Sequence, residues 1–367
     1  MKKIIIAPDS FKGSLSACEV CDIIGNVLEE KHPRSEFIKL PIADGGEGTV
    51  DAYLNIFGGE KISVTVKSPL LRDITACYAM LPDGTAVIEM AQASGLTVEK
   101  EKSPMKASTY GTGQLIENAL ERGAKKIILG IGGSATTDGG AGCLSALGIR
   151  FTDENGFDIP PGGEGLEKLK HIDMSAKHEQ LFNVPITVLC DVENPLYGEN
   201  GAAFVYARQK GATETEILRL DKALQNLAAV AKAVFNKDNS ALAGAGAAGG
   251  LGFAAAAFLG GELKSGIDCI LEKANFSQMA QNADLVITGE GKMDNQSLMG
   301  KAPFGVAKMS GKTKVIAVVG TLEADAAKVK KLGISQVIET NEQHKPFSEI
   351  LSTAKADLAI AAKKIEI

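Results

Sequence analysis

The sequence predicts a two-domain α/β protein in which the two ends of the chain build one parallel sheet of Rossmann or flavodoxin type and the middle forms an inserted mixed α/β domain. Three observations carry this prediction. Short β-branched runs alternate with amphipathic helical segments at both ends, the rhythm of parallel βαβ units. The middle instead opens with period-two alternation, the mark of half-buried antiparallel strands. The length of 367 residues also exceeds the size at which one core keeps growing. The expected boundaries are residues 1–66 with 275–367 for the discontinuous domain and 67–274 for the insert. An active site is expected in the cleft between them, at the carboxyl edge of the parallel sheet.

Taken in order, Lys3–Ala7 reads as a strand, followed by the loop Asp9-Ser10-Phe11-Lys12-Gly13. Ser16 and Glu19 have capping-box spacing, which starts a helix over Ala17–Glu30. Phe37–Ile42 reads as the next strand and Thr49–Ile56 as its helix. Ile62–Val66 and Ala86–Met90 alternate around the Pro82-Asp83-Gly84 turn and are expected to be antiparallel. A helix over Tyr110–Arg122, strands over Lys126–Ile131 and Ile186–Cys190, and helices over Glu214–Phe235 and Leu251–Leu259 follow. The last part predicts strands at Leu285–Thr288, Val315–Val319 and Gln336–Glu339, separated and closed by helices at Pro303–Ser310, Asp325–Lys331 and Phe347–Lys364.

Composition narrows the function. Hydrophobic residues make up 45% and charged residues 23%, as in globular proteins. A net charge of -6, no tryptophan and 5% aromatics argue against nucleic acid as a partner. Nothing approaches a membrane span or a signal segment, so a cytoplasmic location with reduced cysteines is expected. Cys18 and Cys21 form C-x-x-C inside a helical pattern and read as core. His32, His171, His178 and His344 are scattered without ligand spacing, which disfavours zinc.

Two acidic glycine segments carry the chemistry: Ala43-Asp44-Gly45-Gly46-Glu47-Gly48-Thr49 and Thr288-Gly289-Glu290-Gly291-Lys292-Met293-Asp294. Each follows an apolar run and is expected to be the loop where a parallel strand gives way to its helix. Glycine admits positive φ and close backbone approach, and successive N–H groups beside a helix N-terminus bind anions. Carboxylates beside such groups suit a hard cation such as Mg²⁺, which takes oxygens from one or two carboxylates and from substrate phosphates. A third glycine loop, Gly132-Gly133-Ser134 through Gly140, follows a strand and offers a hydroxyl and backbone donors. Lys12 at the carboxyl end of the first strand supplies the cation that phosphoryl transfer needs.

Two other motifs lead elsewhere. Gly244–Gly249 matches G-x-G-x-x-G but does not follow a strand, and reads as a helix entry. Gly305–Thr313 has P-loop composition, yet its glycines are one residue too far apart and it precedes a strand. A dinucleotide oxidoreductase and a non-catalytic metabolite-binding regulator are the competing readings.

The stretches Ala7–Ser16, Pro41–Thr49, Ser108–Gly113, Gly130–Gly140, Asp191–Leu196, Gly244–Gly252 and Thr288–Asp294 together closely resemble the bacterial class I glycerate kinases, in order over almost the whole chain. Lys292-Met293 stands where the family more often has arginine and leucine or isoleucine, a mild departure. The resemblance implies transfer of the γ-phosphoryl of ATP to D-glycerate with Mg²⁺, giving 2-phosphoglycerate, with 3-phosphoglycerate as the alternative product. It also implies a discontinuous two-domain fold. Small molecules, D-glycerate and ATP, are the expected partners, with no nucleic acid or membrane, and the chain is expected to be a monomer or homodimer.

Under that reading Lys12, Asp191 and Asp294 are the expected catalytic residues, Lys12 neutralising charge and the two aspartates being alternative bases. Gly132, Gly133, Ser134, Gly289 and Gly291 are expected to hold the nucleotide phosphates, Ser10 and Asp9 the acid substrate, and Asp44, Glu47 and Glu290 the metal.

Overall fold

The computed structural model describes residues 1–295, 297–299, 301–341 and 345–367; His344 therefore lies outside the described residues. From the N-terminus come strands β1 (Lys3–Pro8), β2 (Glu36–Lys39), β3 (Glu60–Lys67), β4 (Asp73–Met80) and β5 (Thr85–Glu89). The middle adds β6 (Lys126–Gly130), β7 (Arg150–Thr152), β8 (His171–Asp173), β9 (Ile186–Leu189) and β10 (Glu262–Lys264). The chain finishes with β11 (Leu285–Met293), β12 (Val315–Leu322) and β13 (Gln336–Glu339). Two compact units result, one of Met1–Asp44, Asp51–Gly58 and Gly266–Ile367, the other of Gly45–Val50 and Gly59–Ser265.

The first unit is built on a five-stranded sheet in the order β13-β12-β11-β1-β2, with every neighbouring pair parallel. Counted within the unit this is the flavodoxin-like order 2-1-3-4-5, whose switch point lies between β1 and β11. Ile4, Ile5 and Ile6 are fully buried, as expected for a parallel strand covered on both faces. One face packs against the helices Ala17–Lys31 and Phe347–Lys363 through Val20, Ile24, Leu28 and Leu358. Each such side chain contributes about 1.5–3 kcal/mol on burial. The first helix starts where the sequence predicts, with both bonds of the Ser16–Glu19 capping box formed. Lys31 Nζ donates to the carbonyls of Lys363 and Ile365, both at 3.1 Å, and so pins the two helices' ends together.

The second unit has a six-stranded mixed sheet in the order β10-β9-β6-β5-β4-β3. β3, β4 and β5 are antiparallel, and β5, β6, β9 and β10 are parallel. β5 thus pairs in both senses, and it is buried along its whole length instead of showing a solvent face. The long helix Glu214–Phe235 has the bounds read from its pattern and a second capping box, Thr213 with Glu216. Gly244–Gly249 leads into a short 3-10 turn and then the helix Leu251–Phe258, consistent with rejecting a dinucleotide fingerprint. All six cysteines are free thiols, and burial holds Cys21 above its ordinary value. Among the described residues no helix is long and apolar enough to cross a membrane.

The expectation for the second acidic segment fails. Thr288–Met293 is not a loop: β11 runs on through both glycines and stays paired to β12 as far as Met293 opposite Leu322. The glycines are there because of close packing. A Cβ on Gly289 would lie 2.1 Å from the Val318 carbonyl oxygen, and one on Gly320 would lie 2.2 Å from that of Gly291.

Candidate active site

A cavity of about 330 Å³ in the first unit is lined by residues from the carboxyl ends of β1, β11, β12 and β13, where ligands bind in open α/β sheets. It gathers Asp9, Ser10, Lys12, Asp44, Glu290 and Asp294 of the residues predicted from sequence, together with Gly291.

The loop after β1 is tightly folded, which fixes Lys12. Asp9 N–H donates to the Gly289 carbonyl at 2.9 Å, Phe11 and Leu15 bond each other's backbones at 2.8 and 3.1 Å, and Ser14 Oγ donates to the Phe11 carbonyl. Gly13 makes the turn at φ +82°. This loop rests directly on β11: a Cβ on Gly291 would come within 3.1 Å of Phe11 Cα and 3.2 Å of the Lys12 nitrogen. Gly291 is therefore the seat of the lysine loop.

Lys12 Nζ lies 3.4 Å from Asp44 Oδ2. Exposed as it is, that pair adds little stability, but Asp44 holds the ammonium above its usual range. Asp9 behaves oppositely. Burial pushes its carboxyl up to about 7, Asp44 pushes the same way, and the Ser10 N–H and Lys12 resist. Glu290 is 7% exposed and burial raises it to about 7 as well, against the Ser297 hydroxyl and Lys301. Its Oε1 is buried with no hydrogen-bond partner. A buried orphan oxygen in a group of carboxylates is the position a cation would fill. Among the described residues no three Asp, Glu, His or Cys side chains converge to enclose a metal unaided. Asp294 is fixed by a reciprocal turn in which its N–H donates to Ser297 Oγ at 3.2 Å and its Oδ1 accepts from Ser297 N–H at 3.1 Å.

The remaining predicted residues belong to the second unit. Gly132 and Gly133 follow β6, with Gly133 at φ +73°. Gly132 N–H donates to the Gly45 carbonyl at 3.1 Å, and a Cβ on Gly132 would lie 2.8 Å from Gly46 Cα, so this loop and the arm Gly45–Gly48 pack backbone to backbone. Glu47 on that arm is exposed and Ser134 is buried. Asp138 anchors the loop from within, accepting from Thr109 N–H and Oγ1 and from the N–H groups of Gly140 and Gly142. Asp191 stands exposed just past β9.

Sequence reasoning missed three residues. Lys301 and Asp357 line the first unit's cavity, but neither sits in a glycine motif. Lys210, 2% exposed, donates from Nζ to the Thr136 carbonyl at 2.5 Å, and burial lowers it to about 7. An apolar flank could not reveal it, because Arg208-Gln209-Lys210-Gly211 reads as a polar turn.

A flavodoxin-like sheet with lysines and carboxylates gathered at its switch point defines a protein of the small-molecule phosphotransferase class. Comparison with known proteins identifies the family. The profile of the glycerate kinase family matches residues 4–366. Glycerate kinase from Bacillus cereus is 44% identical over 99% of this chain and 97% of its own length. Glycerate 2-kinase from Escherichia coli is 43% identical over 99% and 97%. A crystal structure of a Salmonella typhimurium LT2 protein with a provisional glycerate kinase 2 assignment superposes with a TM-score of 0.88 at 42% identity, covering 99% of this chain and 96% of that one. The chain belongs to the glycerate kinase family and is a kinase, a phosphotransferase acting on an alcohol group.

Proposed function

We propose that this enzyme transfers the γ-phosphoryl of ATP to D-glycerate to give 2-phosphoglycerate, using Mg²⁺ and acting in the cytoplasm. The observation that carries this reading is the convergence of Lys12, Asp9, Asp44, Glu290 and Asp294 on one cavity in a chain of this family. The name of the Escherichia coli relative favours the 2-phosphate over the 3-phosphate.

In this reading Asp44 and Glu290 hold Mg²⁺, with Glu47 on the adjoining arm as the third candidate; the orphan Glu290 oxygen supports the assignment. The ion, when bound, neutralises charge on the phosphates. Lys12 offsets negative charge on the transferring group, and its rigid loop supplies that charge without reorganisation. Ser10 and Asp9 orient the acid substrate, Asp9 doing so at lowest cost when protonated beside a carboxylate. Gly132, Gly133 and Ser134 contact the phosphates, while Gly289 and Gly291 contribute chiefly by setting the backbone on which Lys12 lies. Asp294, fixed by Ser297 in the cavity of Lys12, is the stronger candidate base, and Asp191 the alternative.

The test is ADP release on adding D-glycerate to the purified protein with Mg-ATP, followed by phosphorus NMR of the product. Absence of glycerate-dependent ADP release sinks the proposal, and a 3-phosphate product corrects its regiochemistry. Asp294→Asn is expected to lower kcat by about 10²–10⁴-fold; near-wild-type turnover in both it and Asp191→Asn excludes an aspartate base at either position.

A further inference from the structure

The cavity of the first unit is larger than its expected acid substrate. At about 330 Å³ it falls within the ~300–1,000 Å³ typical of sites for whole small-molecule ligands, more than a three-carbon acid fills. Its walls come from four adjacent strands, β1, β11, β12 and β13. Three inter-strand steps of about 4.8 Å span about 14 Å, the reach of a nucleoside with its phosphate chain.

Polarity changes along that span. The β1 and β11 end carries Lys12, Lys292 and Lys301 among the carboxylates. The far end is walled by Ile350, Ala354 and Asp357, spaced i, i+4 and i+7 on the helix Phe347–Lys363, and therefore on one face of it. Thr321 and Thr340 bring hydroxyls to the same end. Asp357 is held in place: its Oδ2 accepts from Thr353 Oγ1 at 2.6 Å and from Lys345 Nζ at 3.0 Å, and its Oδ1 from Lys345 Nζ at 3.1 Å. A carboxylate oxygen bonded once keeps a lone pair for another donor. An apolar stripe ending in an anchored acceptor suits the flat base and hydroxyl-bearing sugar of a nucleoside better than it suits a phosphate, which an acceptor carboxylate repels.

We propose that the β12–β13 end of this cavity, walled by Ile350, Ala354 and Asp357, receives the nucleoside of the phosphoryl donor, with the phosphate chain running back along β11 toward Lys12. Asp357 accepts a ribose hydroxyl. This assignment rests on the reading of the cavity as the kinase active site.

Ile350→Trp fills the apolar end and is expected to raise KM for ATP and Kd for ADP by about tenfold or more. Binding of inorganic tripolyphosphate and KM for D-glycerate should stay within about twofold, since neither uses the stripe. Asp357→Asn should weaken ATP but not 2′,3′-dideoxy-ATP, which lacks both ribose hydroxyls. If folded Ile350→Trp keeps the wild-type KM for ATP, or loses D-glycerate instead, the assignment is overturned. Hydrogen exchange on the wild-type protein decides the matter should the variant not fold: ADP, unlike tripolyphosphate, should protect residues 349–357, and equal protection by both overturns the assignment. Failure of this subsite leaves glycerate-dependent ADP release intact, whereas failure of the kinase reading abolishes it.

Discussion

The two acidic glycine segments are close in composition and opposite in backbone role. In the first, Gly45 and Gly48 sit at φ +95° and +94°, and a Cβ on Gly48 would meet nothing within 4 Å. There glycine is needed for conformation, and at Gly45 also for room, since a Cβ would lie 2.6 Å from Leu189 Cβ. In the second, Gly289 and Gly291 lie in extended strand, and glycine is needed because other backbone presses against the missing side chain. One segment turns the chain; the other lets three layers of backbone approach closely enough to seat Lys12. Glycine's freedom and glycine's smallness are separate properties: Gly48 uses only the first, Gly289 and Gly291 only the second, and Gly45 both.

That contrast can be broken by substitution. The largest effect is expected from Gly289→Ala, whose methyl would overlap the Val318 carbonyl oxygen at 2.1 Å in the sheet interior; a loss of about 3 kcal/mol should appear in urea unfolding, and a loss no greater than at Gly48 refutes the packing explanation. The seat of the first segment adds a pH test. Lys210 supports the loop on which Gly45–Gly48 rests, and its ammonium is lowered from 10.5 to about 7 by burial. Between those values the unfolded chain binds the extra proton, so stability should rise with pH from about 7 toward 10.5, by up to about 1.4 kcal/mol per unit. Lys210→Met should flatten that rise; an unchanged slope would place its origin elsewhere. Gly48→Ala is expected to cost about 1 kcal/mol, backbone strain alone, measurable by thermal unfolding and too small to abolish folding. Glu47→Gln, on the exposed arm, should shift stability by less than about 0.5 kcal/mol, so any fall in kcat reports its role toward the metal.

The helices were legible where local chemistry defines them. Ser16 with Glu19 and Thr213 with Glu216 mark their helix starts by side chains that satisfy orphan N–H groups, and such signals need no tertiary context. Parallel strands at the ends were readable as apolar β-branched runs for the same reason. The sequence carried less about β4, and nothing about the three-residue strands β7, β8 and β10, because strands that short are fixed by pairing partners remote in the chain. The misreading of Thr288–Met293 has the same origin: whether a glycine turns or packs is decided by Val318 and Phe11, not by its neighbours in sequence. In the site, residues inside glycine motifs were found, while Asp357 was not, since a helix stripe shared with the cavity looks like any amphipathic face, and Lys301 was not, since it precedes its helix as an ordinary polar residue.

The sheet of the first unit also sets an order of events during synthesis. β1 pairs in parallel with β11, and the Lys3 N–H reaches Asp284 across 281 residues. At about 5–20 residues per second the nascent β1 waits on the order of a quarter to a full minute for its partner. The continuous run Gly59–Ser265 emerges and can close its own sheet in that interval, while Ile4-Ile5-Ile6 has one edge unpaired and open to aggregation. Slow release of the last eighty or so residues should therefore lower the yield of native enzyme more than an equal delay earlier in the chain.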